Sequence, residues 1–297
     1  MRPAVLACLS SVVLLSAQVE DPLVGRIRQV TSGVEGTVAL LARNLDTGRE
    51  VAIDPDARVR TASTIKLPIL CALEALVAEG KARWDERLTI RPEDKVSGSG
   101  VLSEFTDGAT VSLRDAATLM IVVSDNTATN LILDRITADA VNDYLDTLGL
   151  PLTRSMRKIR GDGTALKPAE GWSRAGRLPE NQRFGIGSST PREMVRLLAL
   201  LAEGKVVSPA ASKDVLDILE RQQFKTGIGR HAGDLRVASK SGSLDALRSD
   251  VGIVYTAGGR LAIAMTVDGM PQVDYSPDNA GERVIWAVTS LLIEALR

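Results

Sequence analysis

The chain has 297 residues, 44% hydrophobic and 25% charged, enough to bury a substantial core as one large domain or two intergrown subdomains. Acids exceed bases by one (37 against 36) and aromatics are 3%, so no bulk field draws nucleic acid or an anionic membrane, and few rings exist to stack bases. One histidine and two cysteines exclude an ordinary zinc site, and no metal or other cofactor is expected.

The first elements are a leader and a short helix. Arg2 supplies a positive end, Ala4 to Leu15 is apolar apart from two serines, and Leu15-Ser16-Ala17 offers small residues for cleavage. This predicts a secretory signal peptide over residues 1–17 and an exported product, periplasmic or extracellular. Its removal leaves Cys71 as the sole cysteine, so no internal disulfide can form. No later stretch is apolar and charge-free for long enough to span a membrane. The mature chain is expected to be a soluble monomer. Leu23, Ile27 and Val30 then have the spacing of an amphipathic helix.

"GTVALLARNL" and "REVAID" read as two strands joined at Asp46-Thr47-Gly48. A helix beginning near "TASTIKLPIL" follows, and the middle of the chain is helical. Residues 149–189 break that pattern with seven glycines and three prolines, a loop long enough to be either disordered or functional. At Thr190 a capping box with Glu193, and Pro191 at the first helical position, restart helix. Another helix is expected at about 211–223, then strands "LRVASKS", "SDVGIVYT" and "RLAIAMTV", then a closing helix in "GERVIWAVTSLLIEAL". Strands at both ends with helices between, and short connections, predict an α/β (α+β) fold. Its core is one antiparallel sheet of about five strands, with the terminal helices on one face and a helical lobe on the other. Residues 18–297 form one domain, with a sheet subdomain at about 22–60 and 224–297 and a helical subdomain at about 61–223.

Three short motifs carry chemistry, and two have decoys. In "TASTIKLPIL", Ser63 and Lys66 share one helix face, and the lysine lies in a run otherwise apolar. A buried ammonium is costly unless it is paired or gives up its proton. The same spacing recurs at Ser155 and Lys158, in charged, glycine-flanked sequence that reads as solvated loop. Ser124-Asp125-Asn126 lies between helical segments. On extended backbone, Ser124 and Asn126 would present a hydroxyl and an amide to one cleft. Lys240-Ser241-Gly242 ends an alternating strand, where glycine permits close approach of a ligand along the strand edge. Its decoy, Lys225-Thr226-Gly227, is glycine-rich and polar. Each motif alone is compatible with an ordinary cap, turn or strand end.

Together and in this order, the three resemble the signature of class A β-lactamases and penicillin-binding proteins. "LMIVVSDNTATNLIL" and "SKSGSLDALRSDVGIVY" are especially similar to that family, and the likeness extends over about residues 22–296. The resemblance implies Ser63 as nucleophile toward a lactam carbonyl, Lys66 as its base, and Ser124 as proton relay to the leaving nitrogen. Lys240 and Ser241 would bind the substrate carboxylate, with Lys240 also holding Ser124. Asn126 would bind the side-chain amide, and the backbone N–H groups of Ser63 and Ser243 would form an oxyanion hole beside Gly242. Arg248 either adds charge for the carboxylate or lies on the surface. The substrate implied is a small molecule, a β-lactam or a peptidoglycan-like acyl compound.

The resemblance also implies a loop glutamate, followed four residues on by asparagine, that activates water for deacylation. Residues 149–189 contain no such pair. Glu180, beside Asn181, and Glu170 are the candidates. With a base the chain is a turning-over β-lactamase. Without one it is a penicillin-binding protein or covalent sensor, and a peptidase or esterase on the same fold is the further alternative.

Overall fold

A computed structural model describes residues 22–296. The expected signal peptide lies outside the described residues. Helix α1 (Pro22–Thr31) leads into β1 (Thr37–Asn44), β2 (Glu50–Ile53) and the short β3 (Val59–Arg60). A single 3₁₀ turn, Ala62–Ile65, runs directly into α2 (Lys66–Ala78). The lobe continues with the β4 (Arg87–Thr89) and β5 (Thr110–Ser112) pair, then α3 (Leu113–Val122), α4 (Asn126–Ile136) and α5 (Ala138–Thr147). Then come β6 (Arg154–Ser155), α6 (Arg174–Arg177), β7 (Gly187–Ser189), α7 (Pro191–Ala202) and α8 (Pro209–Glu220). The chain closes with β8 (Val237–Leu244), β9 (Leu247–Thr256), β10 (Gly259–Asp268) and α9 (Ala280–Leu296).

The five long strands form one antiparallel sheet in the order β2-β1-β10-β9-β8, as expected for strands drawn from both chain ends. Successive side chains alternate faces, so Leu40 and Leu41 enter different cores. Leu40, Ile263 and Met265 pack with Leu23 and Ile27 of α1 and Val284, Ile285 and Val288 of α9. Leu41, Ala238, Val251 and Ala264 pack against the helical lobe. The centre of that lobe is α2, where Leu67, Ile69, Leu70 and Leu73 are fully buried. Each such side chain contributes about 1.5–3 kcal/mol relative to exposure. That sum exceeds the several kcal/mol that desolvating one ammonium costs, so α2 can hold Lys66 at its buried head.

Several elements of the fold depart from the sequence expectations. β8 continues to Leu244, so Lys240 lies mid-strand, because Gly242 and Ser243 still pair with β9 across from Ser249 and Arg248. The capping box at Thr190 is half formed. Thr190 Oγ1 accepts from Glu193 N at 3.1 Å, but the Glu193 carboxylate turns to Leu152 N and Thr153 Oγ1. The 149–189 segment is ordered, with β7 pairing with both β3 and β6 in a second small sheet. Ser155, expected in solvated loop, is fully buried and clamped through its backbone by Asn142. It sits on a strand, so it shares no helix face with Lys158, whose ammonium is paired with Asp134.

Candidate active site

The three motifs meet where the head of α2, the α3–α4 connection and the edge strand β8 converge. Ser63 is half-buried on the 3₁₀ turn, and the Lys66 N–H closes that turn on the Ser63 and Thr64 carbonyls. Lys66 is fully buried. Its Nζ donates to Ser124 O at 2.6 Å, Ser124 Oγ at 3.1 Å and Asn126 Oδ1 at 2.9 Å. Burial first, and then the charge of Lys240, hold the Lys66 ammonium well below its ordinary pKa, with Asp125 opposing. An amine in that state accepts a proton readily.

Two strained residues frame the site. Ala62 (φ 45°) precedes Ser63, and Ser124 (φ 53°) carries the hydroxyl. Non-glycine residues occupy this left-handed region only where surrounding contacts enforce it. Ser124 is therefore not on the extended backbone that would turn it alongside Asn126, yet both still face one group, Lys66. Asp125 between them does the enforcing. Its buried carboxylate accepts from Val101 N, Leu102 N and Ala128 N, at 2.6, 2.9 and 2.8 Å. The sequence leaves a cap or a turn open there, and the cap is what forms. Its signal was the aspartate at an N-cap position.

Strand β8 supplies the other wall. Tyr255 N donates to Arg236 O, which makes that pair hydrogen-bonded in the antiparallel register. Pairs alternate, so residues 238, 240 and 242 bond to β9, while 237, 239, 241 and 243 turn N–H and C=O to the open edge. The Ser243 N–H accordingly faces away from the sheet. Gly242 is pressed against the 3₁₀ turn, where an added Cβ would lie 2.8 Å from Thr61 O and 2.9 Å from Ser63 N. The N–H groups of Ser63 and Ser243 can thus serve one oxyanion.

Lys240 is fully buried, and burial pushes its pKa down to about 7, opposed by Asp250. Its ammonium donates to Ser241 O at 2.7 Å and not to Ser124, whose hydroxyl is engaged by Lys66. Arg248 is 1% exposed, so the surface alternative fails. Its guanidinium donates to Leu244 O, Leu247 O and Asp274 O and lies 4.8 Å from the Tyr275 ring centroid.

The loop candidates sit differently. Glu180 is exposed, and its charge faces Arg58, which bonds Asn181 Oδ1 and Ser188 Oγ. Asn181 donates to Ala175 O, so it braces the loop and leaves Glu180 in solvent. Glu170 is exposed near Lys158. The part of the loop docked on the catalytic edge is residues 158–162. Asn130 grips the Ile159 backbone through both its amide atoms, at 2.7 and 2.9 Å. Asp162 Oδ1 accepts from Ser97 Oγ at 2.6 Å, and Asn126 Nδ2 donates to Ser97 O. The loop carboxylate linked to Lys66 is therefore Asp162, through Ser97 and Asn126, which sequence reasoning missed because it searched only for glutamate.

A profile of the β-lactamase enzyme family matches residues 22–296. The chain belongs to this family. It is 27% identical over 292 residues to the β-lactamase regulatory protein BlaB of Streptomyces cacaoi, a match covering 88% of this chain and 93% of that one. Among solved structures, a β-lactamase from Sphaerobacter thermophilus is 31% identical with a TM-score of 0.80, covering 93% of this chain and 97% of that one. PBP-A is 28% identical at a TM-score of 0.75, covering 93% and 96%. A variant of PBP-A has been solved as an acyl-enzyme complex with penicillin G. The sheet and helices of this family member match the serine β-lactamase fold.

Proposed function

We propose that the chain opens β-lactam rings through an ester at Ser63 and releases the acyl group slowly. The observation that carries this reading is Lys66, buried and desolvated with its Nζ on both Ser124 and Asn126. Ser63 Oγ attacks the carbonyl carbon while Lys66 Nζ takes its proton. The oxyanion is held by the Ser63 and Ser243 N–H groups. Collapse breaks the C–N bond, Ser124 gives its proton to the ring nitrogen, and Lys66 returns one to Ser124 across their 3.1 Å contact. Lys240 and Ser241 attract the substrate carboxylate, Arg248 braces the β8–β9 turn beneath them, and Asn126 meets the acyl amide. Slow release is supported by the loop, whose carboxylates Glu180, Glu170 and Asp162 are all exposed. The relative named as a regulatory protein fits the same reading.

Hydrolytic turnover is the second reading, favoured by the Asp162–Ser97–Asn126–Lys66 chain, which could orient a water. A chromogenic cephalosporin separates the two. A burst of one equivalent followed by a slow phase supports the first reading, and steady rapid turnover supports the second. No burst and no turnover, with a D-alanyl-D-alanine peptide cleaved instead, would make the chain a peptidase.

A further inference from the structure

Lys225, the first residue of the decoy that the catalytic motifs leave unused, lines a cavity of about 220 Å³ beside the N-terminal half of β8. The cavity is lined by Glu220 and Gln222 at the end of α8, by Lys225, and by Arg236 and Ser239 of the strand segment. Three observations give it a chemical character. Ser239 is 4% exposed and lines the cavity, yet its hydroxyl has no hydrogen-bond partner among the described residues. Lys225 packs its stem on Gly229, where a Cβ would meet it at 3.2 Å. Its ammonium has no ion pair among the described residues. Arg236 lies 3.8 Å from the Tyr255 ring centroid and 3.4 Å from Glu220 Oε1, a loose contact that leaves both partners able to take another. Gln222 is satisfied by Ile121 O and Phe224 N, so it forms a rigid wall rather than a ligand group. The backbone groups of residues 237 and 239 also face this open edge, by the alternation that turns Ser243 outward.

We propose that this cavity binds a small zwitterion of the amino acid or dipeptide class. Its carboxylate would sit between Lys225 and Arg236, its ammonium on Glu220, and a carbonyl or amide on Ser239. Two cations and one carboxylate match a ligand with both charges better than a lone anion, which would leave Glu220 facing it. The volume suits a molecule of about dipeptide size. The site adjoins Lys240 along one strand but contains none of the groups assigned to acylation, so it can be tested separately.

The probe is alanyl-alanine, in D and L forms, titrated calorimetrically into the full chain, with propionate and ethylamine as single-charge controls. The dipeptide should bind more tightly than either control. Lys225→Met and Glu220→Gln should each weaken it by about tenfold or more, the typical effect of removing a charge-assisted hydrogen bond. Propionate binding should be lost only in Lys225→Met. Both positions are at the surface, and unchanged melting temperatures would verify folding. Dipeptide affinity unaltered in both variants overturns the proposal. So does affinity that falls only in Ser124→Ala, which would place the peptide in the catalytic cleft.

Discussion

Gly242→Ala tests the proposed oxyanion geometry most sharply. The added methyl would sit 2.8 Å from Thr61 O, 2.9 Å from Ser63 N and 3.1 Å from Ala62 Cβ. The first two are backbone atoms of the turn that carries the nucleophile, so no side-chain rotation relieves them. Ordinary contact begins several tenths of an ångström further out, and either β8 or the turn must move by that amount. Such overpacking costs typically about 1–3 kcal/mol of stability. The effect on rate is larger, because the shift separates the Ser63 and Ser243 N–H groups. Loss of one oxyanion donor slows acyl transfer by about 10²–10³-fold. Stopped-flow acylation with a penicillin, beside a thermal melt, reads both quantities. Acylation within threefold of the parent would refute the proposed pairing of these donors, whatever the melt shows.

Lys66→Arg keeps a charge that cannot be given up, and should lower the acylation rate by about a hundredfold or more in the same assay. The second-order acylation rate with a penicillin should fall as pH rises through about 7, where free Lys240 loses its proton and with it the attraction for the carboxylate. A penicillin methyl ester, lacking that carboxylate, should show no such limb, and an identical limb for both would remove Lys240 from carboxylate binding. Glu180→Ala should leave the slow-phase rate within about twofold, because the side chain is in solvent facing Arg58. If a hydrolytic phase is measurable, Asp162→Asn should slow it more than Glu180→Ala does, and the reverse order would reinstate Glu180 as the water activator.

Much of this architecture is legible in the residues. Short apolar runs in "GTVALLARNL" and "RLAIAMTV", bounded by turn residues, mark two strands that prove adjacent and buried on both faces, with Leu41 opposite Ala264. A lysine in an apolar helix head marks a site once it is read with the other two motifs, because a desolvated amine is costly unless it is paired or neutral. What the sequence hides is long-range choice. Glu193 looks like a capping-box partner, but Thr153, forty positions earlier, competes for its carboxylate and wins. Extended backbone would turn Ser124 and Asn126 the same way, but Asp125, accepting from three backbone N–H groups, holds Ser124 at φ 53°. Glu180 is marked in the sequence by the Asn181 beside it, and in the fold that asparagine bonds Ala175 O and Arg58. The loop docks instead through Ile159 and Asp162, whose partners Asn130 and Ser97 lie about thirty and sixty residues away in the chain.

Intact-mass spectrometry after exposure to penicillin G tests the central claim, that Ser63 is acylated with Lys66 as its base. The account predicts one added penicillin mass on the parent, persisting for many minutes and mapped to the peptide containing Ser63. It predicts no adduct on Ser63→Ala, and a full adduct on Ser155→Ala. An adduct on the alanine variant at position 63, or none on the parent under conditions where it is folded, would contradict it.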